Sequence, residues 1–223
     1  MPGSPAAIRL AATVGEVRRT LEAANAAREA ALPGCRTVIQ LSGSAIKCVH
    51  RLQPAEALEL ADRAESTLRA VQDALDGHPA IEHAGFLHDA EKEYVEARTV
   101  IALVGGDEIL SAEDLGVAGP AYLRGLAEAA SELRRHLLDR LRDGELARGE
   151  ELLGLMDDVY EALGTVDFPD AVTGGLRRTL DALRAVLERS RGDLTTTVLQ
   201  TRLQHALESA AHAAGDRDDA GPT

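Results

Sequence analysis

Apolar side chains recur at steps of three and four residues along most of the chain, the spacing that places them on one face of an α-helix. No stretch alternates apolar and polar residues as a half-buried strand would, and no repeat of fixed period is present. Glycines and prolines divide the pattern into pieces. The predicted helices cover residues 5–31, 35–51, 54–76, 81–104, 120–143, 145–163, 169–191 and 194–213, with a short helical turn at 111–114.

Most of the predicted connections are short, so successive helices are expected to pack antiparallel in one all-α bundle. We assign residues 1–214 to a single helical domain and residues 215–223 to a polar tail predicted to be disordered. The last helical segment carries a stripe of leucines at four-residue steps, Leu199, Leu203 and Leu207. The stripe fits either packing within the subunit or a contact between subunits, and the sequence leaves both open.

The composition supports helices, because only 2% of the residues are aromatic and none is tryptophan. The formal net charge of −13 argues against a protein that coats duplex DNA through a general positive field. A local basic surface remains compatible with this charge, since nucleic acid responds to the field where it docks. Apart from Lys47 and Lys92 the basic residues are arginines, which suit forked contacts with phosphate but are also common in GC-rich genomes.

Two cysteines, Cys35 and Cys48, are the only ones in the chain. On one helix their separation would be about 20 Å, far beyond the reach of a disulfide. They are therefore expected to be small buried thiols in a reducing compartment. The first ten residues lack the apolar core of a signal peptide, and no apolar run approaches the length of a membrane span. We expect a cytoplasmic protein.

Carboxylates recur at helical spacing in two of the predicted helices. Glu93 and Glu96 share a helix face with Asp89, and Glu128 and Glu132 lie four residues apart on the next long helix. Like charges at this spacing need a bound metal ion, an arginine or protonation to offset their repulsion. A cluster of oxygen ligands suits Mg²⁺ or Mn²⁺ and the cleavage of phosphodiesters. The alternative is a solvated acidic face, which spacing alone favours in a chain with 37 acidic residues.

Other familiar kinds of site have no signature in the sequence. Paired Glu-x-x-His motifs for a di-iron bundle, a phosphate-binding loop, a dinucleotide fingerprint and a Cys/His zinc pattern are all missing. No serine occurs in a nucleophile elbow. The glutamates are therefore the strongest candidates for chemistry.

Two segments that contain these glutamates resemble motifs of the translin and translin-associated factor X family. Residues 85–97, GFLHDAEKEYVEA, contain the Glu-Tyr-Val-Glu-Ala motif of factor X. Residues 122–133, YLRGLAEAASEL, resemble the family helix Tyr-Leu-x-Gly-x-Ala-Asp-x-x-Gly-Glu-Leu. Residues 28–51 and 168–178 are similar to its early and late helices. The resemblance extends over residues 26–194 and is closer to the catalytic factor X branch.

The resemblance implies a seven-helix α-superhelical fold, here with a possible extra C-terminal helical segment, that assembles into a closed hollow oligomer such as a hexamer or octamer. Translin subunits bind single-stranded RNA or DNA, and factor X subunits supply a Mg²⁺-dependent endoribonuclease site that faces the interior. Its acidic ligands map here onto Glu93, Glu96, Glu128 and Glu132. Glu128 stands where the motif has aspartate, and Ser131 stands where it has glycine.

On this interpretation the four glutamates bind one or two Mg²⁺ (or Mn²⁺) ions and activate water to cleave single-stranded RNA. The residues that could hold nucleic acid are Arg28, Arg36, Lys47, His50, Arg51, Arg134 and Arg135, with Arg177 and Arg178 as further candidates. Each is alternatively a surface side chain paired with an acid. Because aromatic residues are scarce, recognition would depend on phosphates, with weak sequence preference and strong salt dependence. A non-catalytic binding protein and a structural helical oligomer remain the alternatives.

Overall fold

The computed structural model of the protein describes residues 4–78, 81 and 85–219, and within these ranges it contains helices and no strand. The predicted all-α fold is confirmed. Residues 82–84, predicted to lie in the fourth helix, are outside the described ranges. The helices of the described residues are α1 (Pro5–His50), α2 (Pro54–Leu75), α3 (Gly85–Gly105), α4 (Ala112–Leu115), α5 (Gly119–Arg142), α6 (Leu146–Gly164), α7 (Asp170–Thr173) and α8 (Leu176–Asp219).

The first two predicted helices form one helix of 46 residues, so Pro33, predicted to interrupt or kink the helix, does not end it. A proline inside a helix removes one backbone hydrogen bond and costs about 3 kcal/mol. The face of α1 that follows Pro33, from Cys35 to Val49, is buried against α2 and α3. Packing of this face outweighs the local cost of the proline.

The predicted helix boundaries near the C-terminal end also differ from those observed. Gly174 and Gly175 adopt positive φ angles of 62° and 89°, so a single turn, α7, is separated from α8. Gly192 was expected to end a helix, but α8 continues through it. One helical glycine costs only about 1 kcal/mol relative to alanine. Residues 215–219 of the predicted tail are helical, and 220–223 lie outside the described residues.

The helices pack in two halves that meet at the contact between α3 and α5. One hydrophobic cluster joins α1, α2 and α3 around Leu68, Tyr94 and Val95. A second joins α5, α6 and α8 around Leu137 and Met156. Both cysteines are buried and free, as predicted. None of the described helices is long and apolar enough to cross a membrane.

Two segments of helix extend beyond this core with apolar side chains on their surface. Leu199, Leu203 and Leu207 on α8 are each about 60% exposed, so they do not pack within the subunit. A contact between subunits remains the prediction for this stripe. The N-terminal part of α1, residues 5–26, is likewise uncovered, and no residue in it is buried.

Gly125 sets the distance between α3 and α5. A Cβ atom at this position would lie 2.6 Å from Val95 Cβ and 2.8 Å from the carbonyl oxygen of Lys92. The second of these atoms belongs to the backbone and cannot rotate away. The two helices therefore approach as closely as they do only because residue 125 has no side chain.

Substitution Gly125→Ala is expected to destabilise the protein by about 1–3 kcal/mol, because the two helices would have to move apart. The measurement is the free energy of unfolding in urea. The matched control is Gly154→Ala on α6, where an added Cβ meets no atom within 4 Å and the better helix propensity of alanine should be neutral or stabilising. Equal stability of the two variants would contradict this interpretation of the helix contact.

Candidate metal and RNA-cleavage site

Three of the four predicted glutamates come together between α3 and α5. Glu93 and Glu96 lie one helical turn apart on α3, and Glu128 faces them from α5. Each offers one carboxylate oxygen, and these oxygens all lie within 4.8 Å of one another. All three side chains are partly buried, so this group is not a fully solvated acidic face. We call these residues the carboxylate cluster.

Lys92 bridges two members of the carboxylate cluster. Its Nζ atom donates a hydrogen bond to Glu93 Oε1 at 3.0 Å and another to Glu128 Oε2. The side chain is only 11% exposed. Burial alone would lower the pKa of this amine, but the carboxylates of Glu128 and Glu93 raise it above its ordinary value. Lys92 therefore supplies a buried positive charge to the cluster.

Sequence reasoning missed this role of Lys92. A lysine beside glutamates in an acidic helix normally indicates a surface ion pair. The only signal in the sequence is that lysine is rare: Lys92 is one of two lysines in a chain whose other basic residues are mostly arginines.

Burial, as the largest cause, and the neighbouring charges of Glu93 and Glu128 together raise the pKa of Glu96 from its ordinary value of 4.5 to about 8. Lys92 opposes the shift without cancelling it. At neutral pH, without a further cation, Glu96 therefore retains its proton. A raised pKa of this kind is typical of a buried carboxyl group in a site whose negative charge exceeds its own positive charge.

Glu132 lies apart from the carboxylate cluster and is held by His50 instead. The Oε1 atom of Glu132 is 2.6 Å from His50 Nε2. The His50 side chain is 2% exposed, and its Nδ1 atom has no hydrogen-bond partner among the described residues. Glu132 is still close enough for its charge to contribute to the raised pKa of Glu96. The structure thus groups three glutamates and places the fourth beside them.

The donors of the carboxylate cluster fit a small divalent cation. Carboxylate oxygens are the ligands that Mg²⁺ and Mn²⁺ prefer. An octahedral ion with bonds of about 2.1 Å needs ligand oxygens about 3–4 Å apart, which small side-chain rotations from the observed separations would provide. Asp89, which shares the helix face in sequence, is exposed and lies outside this group.

The predicted nucleic-acid-binding residues do not form one surface. His50 is inside the protein, where a phosphate cannot reach it. Arg28 pairs with Glu29, and Arg134 donates to Ser190 and Asp193. An open groove beside Glu132 is lined by Arg134 and Arg135. The candidates that are exposed and form no ion pair with any described residue are Arg36, Lys47, Arg51, Arg135 and Arg178.

Solved structures with the same arrangement of helices are known. A chain of AfC3PO in complex with duplex RNA matches with a TM-score of 0.78 and 32% identity, covering 84% of this chain and 97% of that one. AfC3PO alone matches with a TM-score of 0.77 and 32% identity, covering 84% and 98%. Apo-NeC3PO, at 20% identity and a TM-score of 0.71, covers 84% and 96% and shares the fold.

An uncharacterized protein of Methanocaldococcus jannaschii is 32% identical over 128 residues. The match spans 57% of this chain and 57% of the length of that protein. No protein-family model matches the chain.

The all-α fold is that of the translin-like C3PO structures. The chain belongs to the translin family.

The raised pKa of Glu96 predicts a pH-dependent stability. Between about pH 4.5 and pH 8 the folded protein keeps a proton on Glu96 that the unfolded chain has lost. The free energy of unfolding therefore falls as the pH rises through this window. Glu96→Gln, which stays neutral, should match the wild type near pH 5 and exceed its stability at pH 8.5 by about 2–4 kcal/mol, since each pKa unit corresponds to about 1.4 kcal/mol.

The measurement is urea denaturation in EDTA at both pH values. Glu161→Gln on the exposed face of α6 serves as the control and should follow the wild type at each pH. A constant difference between Glu96→Gln and wild type across the range would show that Glu96 ionises normally.

Proposed function

We propose that this protein is a Mg²⁺-dependent endoribonuclease that cleaves single-stranded RNA inside a hollow homo-oligomer. The observation that carries the proposal is the carboxylate cluster, in which three partly buried glutamates hold their oxygens within 4.8 Å of one another. Burial together with mutual repulsion raises the pKa of Glu96 to about 8, as expected of a site built for an additional cation. The motifs shared with factor X support the same assignment.

Glu93, Glu96 and Glu128 would hold the ion. A bound Mg²⁺ supplies a Lewis acid for the phosphate oxygens and lowers the pKa of water. Lys92 uses two of its three N–H donors on Glu93 and Glu128, which leaves one to donate to a phosphate oxygen. The chain therefore supplies both the ligands of the ion and a cation of its own.

Glu132 is positioned for a different role from the other three. Because His50 fixes one of its oxygens beside the cluster, the carboxylate can accept the proton of the attacking water. The water oxygen then bonds to phosphorus while the bond from phosphorus to the ribose oxygen breaks, and the leaving ribose oxygen takes up a proton from bulk water, so the strand is cut. His50 acts as a positioning residue for this base.

RNA as the ligand is supported by the complex of AfC3PO with duplex RNA. The exposed cations Arg36, Lys47, Arg51 and Arg135 could contact phosphates without breaking an ion pair of the fold. Single-stranded DNA is a further possible ligand. Cleavage assays with single-stranded and double-stranded RNA test which of the two the protein prefers.

A non-catalytic binding protein is the second candidate. Lys92 already offsets part of the charge of the cluster, so the fold does not require an ion there. Glu128, in place of the family's aspartate, lengthens one ligand by about one bond and could displace the ion. Binding of RNA in EDTA with no cleavage in Mg²⁺ would select this candidate. Failure to bind single strands even at low salt would leave a structural oligomer.

Replacement of a cluster residue by its amide is expected to abolish cleavage. Glu93→Gln and Glu128→Gln should each reduce the cleavage rate at least about 100-fold, because a neutral amide is a weaker ligand for a hard cation. His50→Gln, one step removed from the cluster, should reduce it by about 10–100-fold. The assay follows labelled single- and double-stranded RNA in Mg²⁺, Mn²⁺ or EDTA.

Glu161→Gln is the matched control, since this glutamate is exposed on α6 and should cut RNA at the wild-type rate. Each variant is also checked for unchanged mass and unfolding temperature. Wild-type cleavage by a clean preparation of Glu93→Gln or Glu128→Gln would overturn the assignment.

Binding of Mg²⁺ is expected to release a proton below about pH 8, because the ion must replace the proton on Glu96. The apparent affinity should therefore increase by up to about tenfold per pH unit up to this value and level off above it. Isothermal titration calorimetry in two buffers of different ionisation enthalpy measures the proton count. Glu96→Gln should bind the ion more weakly and without proton release; equal proton release by both proteins would contradict the prediction.

A further inference from the structure

The buried face of α1 follows a seven-residue repeat. Within the body of the protein the helix turns the same two positions of each heptad toward α2 and α3. All six side chains at these positions are buried. They are Ala31, Cys35, Val38, Ser42, Ala45 and Val49.

The same repeat continues through the uncovered N-terminal segment. The positions that lie seven, fourteen and twenty-one residues before Ala31 and Cys35 again carry apolar residues, with Arg28 as the one exception. The four large ones are between 56% and 66% exposed. They are Leu10, Val14, Val17 and Leu21. We call residues 5–26 the arm and this stripe the arm seam.

The arm seam is bare because α1 is longer than its partner. Helix α2, which runs back along α1 from the turn at residues 51–53, has 22 residues against the 46 of α1. At 1.5 Å per residue it covers about 33 Å of α1. The remaining length, about 36 Å, continues the packing pattern with no helix of the described chain against it.

We propose that the arm binds the same arm of a second copy of this chain in an antiparallel pair. The spacing of the arm seam, four then three then four residues, reads the same in both directions. Its centre of symmetry lies between Gly15 and Glu16. An antiparallel partner in this register sets Leu10 opposite Leu21 and Val14 opposite Val17, so every large side chain of the stripe meets another.

The length of the arm selects the antiparallel orientation. The uncovered residues, 5 to 26, are symmetric about the same centre as the stripe. In an antiparallel pair each arm therefore ends where the rest of the other subunit begins. The packed parts of the two subunits then lie at opposite ends of the pair. A parallel pair would instead bring both bodies together at one end and set Arg28 against Arg28.

Disulfide trapping tests both the contact and its orientation. Val14→Cys and Val17→Cys proteins, one carrying a size tag, are mixed, allowed to exchange subunits and mildly oxidised. We expect a disulfide between the two different variants, because residues 14 and 17 lie opposite each other. Like residues would be offset by three positions, about 4.5 Å along the axis in addition to the separation across the pair, so they should form the bond far less readily. The wild type, whose two cysteines are buried, is the background control.

A bond only between like variants would indicate a parallel pair and would overturn the proposal. The absence of any bond would overturn it as well.

The second measurement is the mass in solution. The double substitution Val14→Glu/Leu21→Glu buries charge in the proposed seam and should lower the mass of the assembly. Ala12→Glu, on the opposite face of the same exposed helix, should leave the mass unchanged. All three proteins should still unfold in one cooperative transition, because no residue of the arm is buried in the subunit. Equal masses for both variants would contradict the pairing. The proposal does not depend on RNA cleavage.

Discussion

The close approach of α3 and α5 is the constraint on which the rest of the structure depends. A single missing side chain, at Gly125, lets the backbone of Lys92 and the side chain of Val95 come within contact distance of α5. The same crossing joins the two hydrophobic halves of the subunit and brings Glu128 to the two glutamates of α3. Fold and site thus share one helix contact, and a change in the spacing of the helices changes both.

This contact brings several carboxylates together in a partly buried site, and groups of the same chain offset their negative charge. Lys92 lies on the same helix turn as Glu93 and reaches across to Glu128, while Glu96 keeps a proton because burial and its neighbours raise its pKa. A subunit with these two devices can fold without a metal ion. An ion that entered later would replace a proton rather than complete an unfinished fold.

The periodicity of the sequence predicts most of the helices, since each needs one apolar face to pack. It failed at Pro33 and Gly192, where a local cost of about 1–3 kcal/mol indicated a break that packing over many residues overcame. The spacing of the glutamates indicates which of them share a helix face. It does not predict which residues of another helix pack against that face. The His50–Glu132 pair joins residues 82 positions apart, and that pairing depends on the tertiary contact.

The length of α1 has its own physical consequence. Most of the stability of a helix in a protein comes from packing of its apolar face and not from the propensity of its residues. In the body that cover comes from α2 and α3, but the arm has no such partner within the subunit. Its leucines and valines nevertheless keep the heptad phase of the buried half. A repeat maintained beyond the end of α2 is expected where another helix continues the packing. The symmetric spacing of the arm seam fits the same arm of a second copy in that place.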